Sequence, residues 1–170
     1  MTFSLVVEDG TGLPNANSYV SVSEADDILI TNIHNTAWAA LSDSDKEKLL
    51  AWATRLVDTK ATWYGHKTSS TSGLRWPRCG VTSKDMVVIP DNVIPENLKE
   101  AIAEMARYLV EVDRTVEQSK DGLESLKVDV IDMKFDKNYR LTQLPTLIWQ
   151  IVSDLGYFGV TIGAAKIIRS

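Results

Sequence analysis

Lys60, His66, Lys67, Arg75, Arg78 and Lys84 give the stretch from 60 to 84 a cationic character, and Trp63, Tyr64 and Trp76 are interleaved with them. Cations neutralise phosphates and aromatic faces stack on bases, so these residue types in this order suit a single nucleic-acid strand. The same residues also describe a solvated loop laid over core tryptophans. At the centre of the stretch, Gly73-Leu74-Arg75-Trp76-Pro77-Arg78-Cys79-Gly80-Val81 has neither helical nor strand period. Pro77 fixes its own φ and favours an extended Trp76 before it. A large ring is therefore held in a stiff segment between two arginines. Either Trp76 plugs the core and its arginines are solvated, or Arg75, Trp76 and Arg78 face a protein or a phosphate.

Covalent chemistry has less to draw on. There is no P-loop and no dinucleotide glycine fingerprint. No Cys or His pair has metal-ligand spacing. His34 and His66 are the only histidines, and neither has a nucleophile beside it in sequence. Cys79 is the single cysteine; Arg78 before it favours a thiolate, but no base accompanies it. The acid pairs Asp26-Asp27 and Asp43/Asp45 stand where helices start, and capping accounts for them. The sequence therefore predicts a non-enzyme with no cofactor and no metal. The net charge of −5 argues against a protein that coats DNA through surplus Lys and Arg. One cysteine, no signal-peptide pattern at the N-terminus and no bilayer-length apolar run predict a soluble intracellular protein without membrane contact.

Two long helices must carry these residues. The first is expected from about 45 to 62, with Ser44 and Glu47 as a capping box and Leu49, Leu50, Ala53, Leu56 and Val57 as its apolar stripe. The second is expected from about 96 to 113, opened by Pro95, with Leu98, Ile102, Met105, Ala106 and Leu109 inward. A short helix capped by Ser23 precedes them, and another follows Pro145. Strand-like pieces are expected at 3–7, 18–22 and 86–89, and at 126–135 with a turn or bulge near Val130-Ile131. Glu8-Asp9-Gly10-Thr11-Gly12 reads as a turn. Leu49, Leu56, Ile102, Met105 and Leu109 should be buried. The fold class is mainly α: a small helical bundle with short β-strands or a hairpin and an extended C-terminal arm. Residues 1–125 form the helical domain, and 126–170 extend it with a β segment, a short helix and the arm. The apolar arm either packs on its own domain or docks on another chain, by adding a strand for example.

Glu8 to Ser21 with Ser23-Glu24-Ala25-Asp26 resembles the opening of the small head–tail adaptor (connector) proteins of tailed phages. Gly73 to Val81 is similar to that family's central Trp-Pro-Arg-x-Gly-Val loop, and Val93 to Ala101 to the start of its last long helix. Such sequences often carry the label DnaT-like single-stranded-DNA-binding protein. The resemblance covers about residues 6 to 113, and the part after Arg114 departs from the pattern. It implies a structural virion protein at the neck, made in the host cytoplasm. That protein would form a ring, usually dodecameric, under the portal protein, and would dock a tail or stopper protein. Genomic DNA would pass through without specific binding. Arg75, Trp76 and Arg78 would lie at subunit contacts, and Tyr157, Phe158, Lys166, Ile167, Ile168 and Arg169 would reach the portal. The alternative is a single-stranded-DNA-binding accessory protein of replication, using Lys60, Trp63, Lys67, Arg75, Trp76 and Arg78.

Overall fold

A computed structural model describes residues 3–113, 125–128, 131–134 and 144–158. In chain order the elements are helices α1 (Val22–Leu29), α2 (Thr36–Ala39) and α3 (Asp43–Lys60), and strands β1 (Thr62–Trp63), β2 (His66–Lys67) and β3 (Arg78–Cys79). Helix α4 (Glu96–Glu111), strands β4 (Ser125–Val128) and β5 (Ile131–Lys134), helix α5 (Thr146–Ile151) and strand β6 (Gly156–Tyr157) follow.

In both α1 and α3 the capping serine lies two residues before the one expected. Ser21 caps α1: its hydroxyl accepts the Glu24 N–H at 3.2 Å, and the Glu24 carboxylate accepts the Ser21 N–H at 2.9 Å. Ser42 caps α3 by accepting the Asp45 N–H at 3.3 Å. Each site offers two serines two residues apart, each followed three residues later by an acid. Tertiary contacts decide between the first pair. Asp26, which Ser23 would need, accepts the Trp38 indole N–H at 2.7 Å and the Lys46 ammonium at 2.9 Å. Asp26 thereby ties α1 to α2 and α3 instead.

Helices α3 and α4 are the main packed pair, with α1, α2 and α5 against α4. Ile102, Met105 and Leu109 are buried as expected, while Leu49 and Leu56 sit half-buried at the margin. The expectation of a mainly α helical bundle does not hold; the architecture is mixed α and β. Three two-stranded antiparallel sheets join segments of the chain: β1 with β6, β2 with β3, and β4 with β5. The first brings residues 156–157 back onto 62–63, so Ile148, Val152, Leu155 and Phe158 share one core with Trp63 and Leu98. Much of that core also comes from irregular chain, including Tyr19, Val20, Trp76, Val81 and Ile94. Helical periodicity does not register such residues. The strands expected at 3–7 and 86–89 are reduced to single bridges, Val7 with Ser18 and Val88 with Thr82.

The turn at 8–13 is organised by one carboxylate. Buried Glu8 accepts the N–H groups of Gly10 at 3.0 Å, Gly12 at 2.8 Å and Leu13 at 2.8 Å. Glu8→Ala leaves these donors without their acceptor and should cost about 3 kcal/mol, read as a lowered midpoint in urea.

Glu24 adds a pH signature. Partial burial works to raise its carboxyl, but the Ser21 N–H and hydroxyl and the Lys99 ammonium at 3.0 Å outweigh it. The folded value therefore lies below the unfolded one. Its stabilisation is present above the ordinary carboxylate range and disappears as pH falls through the folded value. Glu24→Gln should cost about 1 kcal/mol at neutral pH. The gap to the parent should close towards roughly pH 3, as urea titrations at the two pH values will show.

Candidate nucleic-acid interface

Asp58, near the end of α3, gathers three segments. Its Oδ2 accepts the Tyr19 hydroxyl at 2.8 Å and the Arg75 N–H at 3.1 Å, and its Oδ1 accepts the Trp63 indole N–H at 3.0 Å. The Tyr19 oxygen in turn accepts the N–H groups of Arg75 and Trp76, both at 3.0 Å. Burial pushes the Asp58 carboxyl up, against the pull of these donors. Burial and the neighbouring carboxylate hold the Tyr19 phenol well above its usual range, so it remains a donor.

Above this cluster lies a cleft of about 830 Å³. Its floor is one face of α3: Lys48, Ala51, Trp52, Arg55, Asp58 and Thr59, at three- and four-residue spacing. One wall is the N-terminal segment with Phe3, held by Asn17, whose side chain bonds the Val6 N–H at 2.8 Å and the Ser4 carbonyl at 3.0 Å. The other wall is the loop carrying Lys67, Gly73, Leu74 and Arg75. That loop lies so close to the first that a Cβ on Gly73 would meet the Pro14 carbonyl oxygen at 2.7 Å. Lys48, Arg55, Lys67 and Arg75 thus surround a cleft in which Asp58 is the one acidic lining residue among those described. Lys48 is shared with Asp45 at 2.9 Å, and Lys67 donates one N–H to the Ser72 carbonyl. The guanidinium groups of Arg55 and Arg75 are exposed, and among the described residues neither has an ion-pair partner. Trp52 is half-buried against the core, and Phe3 is 45 % exposed.

The residues singled out from sequence divide sharply. Trp76 is fully buried, its ring edge-on to Trp63 at 6.1 Å, which places it in the core. Its peptide bond to Pro77 is cis. Arg78 turns inward: Nε donates to the Tyr64 carbonyl, Nη1 to that of Arg75 at 3.1 Å and Nη2 to that of Gly65 at 2.7 Å. It is a clasp between two loops. Tyr157 is exposed beside Tyr64, whereas Phe158 is buried with its ring centroid 3.7 Å from that of Trp149. Lys166, Ile167, Ile168 and Arg169 lie outside the described residues. Of the cationic stretch, Lys67 and Arg75 reach the cleft; Lys60 and Arg78 do not line it. Lys48, Trp52, Arg55 and Phe3 join them. The first three form a stripe on α3, spaced by four and three residues, opposite the apolar one, and that stripe is visible in the sequence.

A family model described as a DnaT-like ssDNA-binding protein matches residues 3–167. The chain belongs to this family. The match runs through the C-terminal part that departs from the adaptor pattern. It also corrects the adaptor reading. The family carries a single-stranded-DNA-binding description, with none of a virion, a neck connector, a portal contact or a dodecameric ring. Searches of curated proteins and of solved structures each gave no match. Among the described residues there is no His, Cys, Asp and Glu cluster fit for a metal, and no helix is long and apolar enough to cross a membrane.

The cluster beneath the cleft is directly testable. Tyr19→Phe removes the acceptor of the Trp76 N–H and one of the donors to Asp58. It should lower stability by about 2 kcal/mol, measured by urea denaturation.

Proposed function

We propose that this protein binds single-stranded DNA in the α3 cleft. The observation that carries the reading is the convergence of Lys48, Arg55, Lys67 and Arg75, from two separate segments, around a cleft that also holds Trp52 and Phe3. Cations along a groove track the phosphates and aromatic faces stack on successive bases, without need for sequence. The family's description supports the same reading. It moves the stacking role from Trp63 and Trp76, which are buried, to Trp52 and Phe3. The protein acts by binding, with no chemistry on the strand.

Four cations in an otherwise acidic chain set the scale. Affinity should be modest, on the order of micromolar at physiological salt. It should fall with salt with a log–log slope of roughly −0.7 per phosphate neutralised. Fluorescence anisotropy of a labelled oligonucleotide over a salt series measures both. The double variant Arg55→Ala with Arg75→Ala should weaken binding at low salt at least tenfold and flatten the slope by about 1.4. Trp52→Leu keeps apolar contact with the core but removes the π face, and should weaken binding by about 1–3 kcal/mol. Salt-independent binding, or a double variant that binds like the parent, would refute the assignment.

A further inference from the structure

We infer that Tyr64 and Tyr157 form a second stacking platform, outside the cleft, for a strand that leaves the cleft past Lys67 and Arg75. The inference rests on the single-strand reading above and lengthens its footprint. Both tyrosines are exposed, Tyr64 at 44 % and Tyr157 at 54 %, and their ring centroids stand 6.1 Å apart. Alternation along the paired segments sends Trp63 and Phe158 into the core and leaves the two tyrosines outside. Adjacent exposed rings make an apolar patch of the kind that marks a binding surface. Their planes are tilted by 42°, which leaves no parallel slot between them, so a base meets an outward face. The backbone beneath is fixed: Thr62 faces Tyr157 in the register, and the Tyr64 N–H donates to the Leu155 carbonyl at 2.9 Å.

The platform is continuous with the cleft. Arg78 Nε donates to the Tyr64 carbonyl and Nη1 to the Arg75 carbonyl at 3.1 Å, so both backbones meet at one planar group. Lys67, on the same cleft wall as Arg75, faces Arg78 in the β2–β3 register and lies three residues beyond Tyr64. Three residues span at most about 10 Å, the rise of about three stacked nucleotides. A phosphate held by Lys67 or Arg75 therefore leaves the following bases within reach of the tyrosines. Lys60, exposed and outside the cleft, closes α3 two residues before Thr62 and adds a cation on the platform side. Aromatic faces beside cations take bases of any sequence.

The test uses the full chain and iodouracil-substituted oligo-dT of about sixteen nucleotides, the upper end of single-strand site sizes. The complex is irradiated and the cross-linked residues are located by mass spectrometry. Adducts at Tyr64 or Tyr157 are expected beside those in the cleft. In anisotropy at one fixed salt, Tyr64→Leu with Tyr157→Leu should weaken binding of this length about tenfold, the scale of one lost base–aromatic stack. An oligonucleotide of about four nucleotides, short enough for the cleft alone, should bind the variant as it binds the parent. A pair that only clasps β1 to β6 would lower the urea midpoint and leave this length dependence unchanged. Should the double variant not fold, the cross-link on the unaltered protein decides. Adducts confined to the cleft, a variant that binds the long oligonucleotide like the parent, or equal loss at both lengths overturns the inference and leaves the single-strand reading standing. Failure of every oligonucleotide to bind removes both.

Discussion

The carboxylate of Asp58 is partly withdrawn from water and, among the described residues, makes no direct ion pair. A charge so placed is tolerated only when its oxygens are hydrogen-bonded. The chain meets that demand with a phenol from residue 19, an indole from residue 63 and an amide from residue 75. These donors come from three segments that have no regular structure in common. Satisfying one acceptor therefore fixes the N-terminal segment, the end of α3 and the Trp76 loop relative to one another. Tyr19 extends the arrangement by accepting two successive amides, which pins the backbone at Arg75 and Trp76. The Arg75 backbone is held while its side chain stays at the cleft rim. Arg78 secures the other end of the same loop through three backbone carbonyls.

Charge is distributed so that an acidic chain can present a cationic cleft. On α4, Glu96 and Glu104 are matched by Lys99 at 3.2 Å and Arg107 at 2.9 Å. The cleft lies on the α3 face that carries Lys48 and Arg55. Net charge describes the whole molecule, whereas a strand in the cleft responds to the field within about one Debye length. The same balance keeps the interaction modest and dependent on salt.

Sequence patterns disclosed α3 and α4 to within two residues at each end, because their apolar stripes are long and their start signals strong. They were less informative about which serine caps a helix, since adjacent serines offered equivalent boxes and Asp26 was claimed by Lys46 and Trp38. The mixed fold class is hidden from sequence patterns for a related reason. Tyr19, Trp63 and Trp76 sit in the core from irregular chain, where no period marks them. The loop around Trp76 stands out in the sequence, but the two arginines beside it have opposite fates: Arg78 is used up internally, and Arg75 lines the cleft with no ion-pair partner among the described residues. The difference depends on carbonyls at 64, 65 and 75 that only the folded chain brings together. The cationic face of α3 is legible in the sequence as a second stripe opposite the apolar one.

The central claim is that the α3 cleft, and not the buried tryptophans of the Trp-Pro-Arg loop, receives the strand. The most direct measurement follows the indole N–H signals of ¹⁵N-labelled protein during addition of oligo-dC. The Trp52 signal should move progressively to saturation, while those of Trp38 and Trp76, both fully buried, should hold their positions. A Trp52 signal that stays in place at saturating oligonucleotide, with shifts confined to surfaces away from α3, would contradict the account.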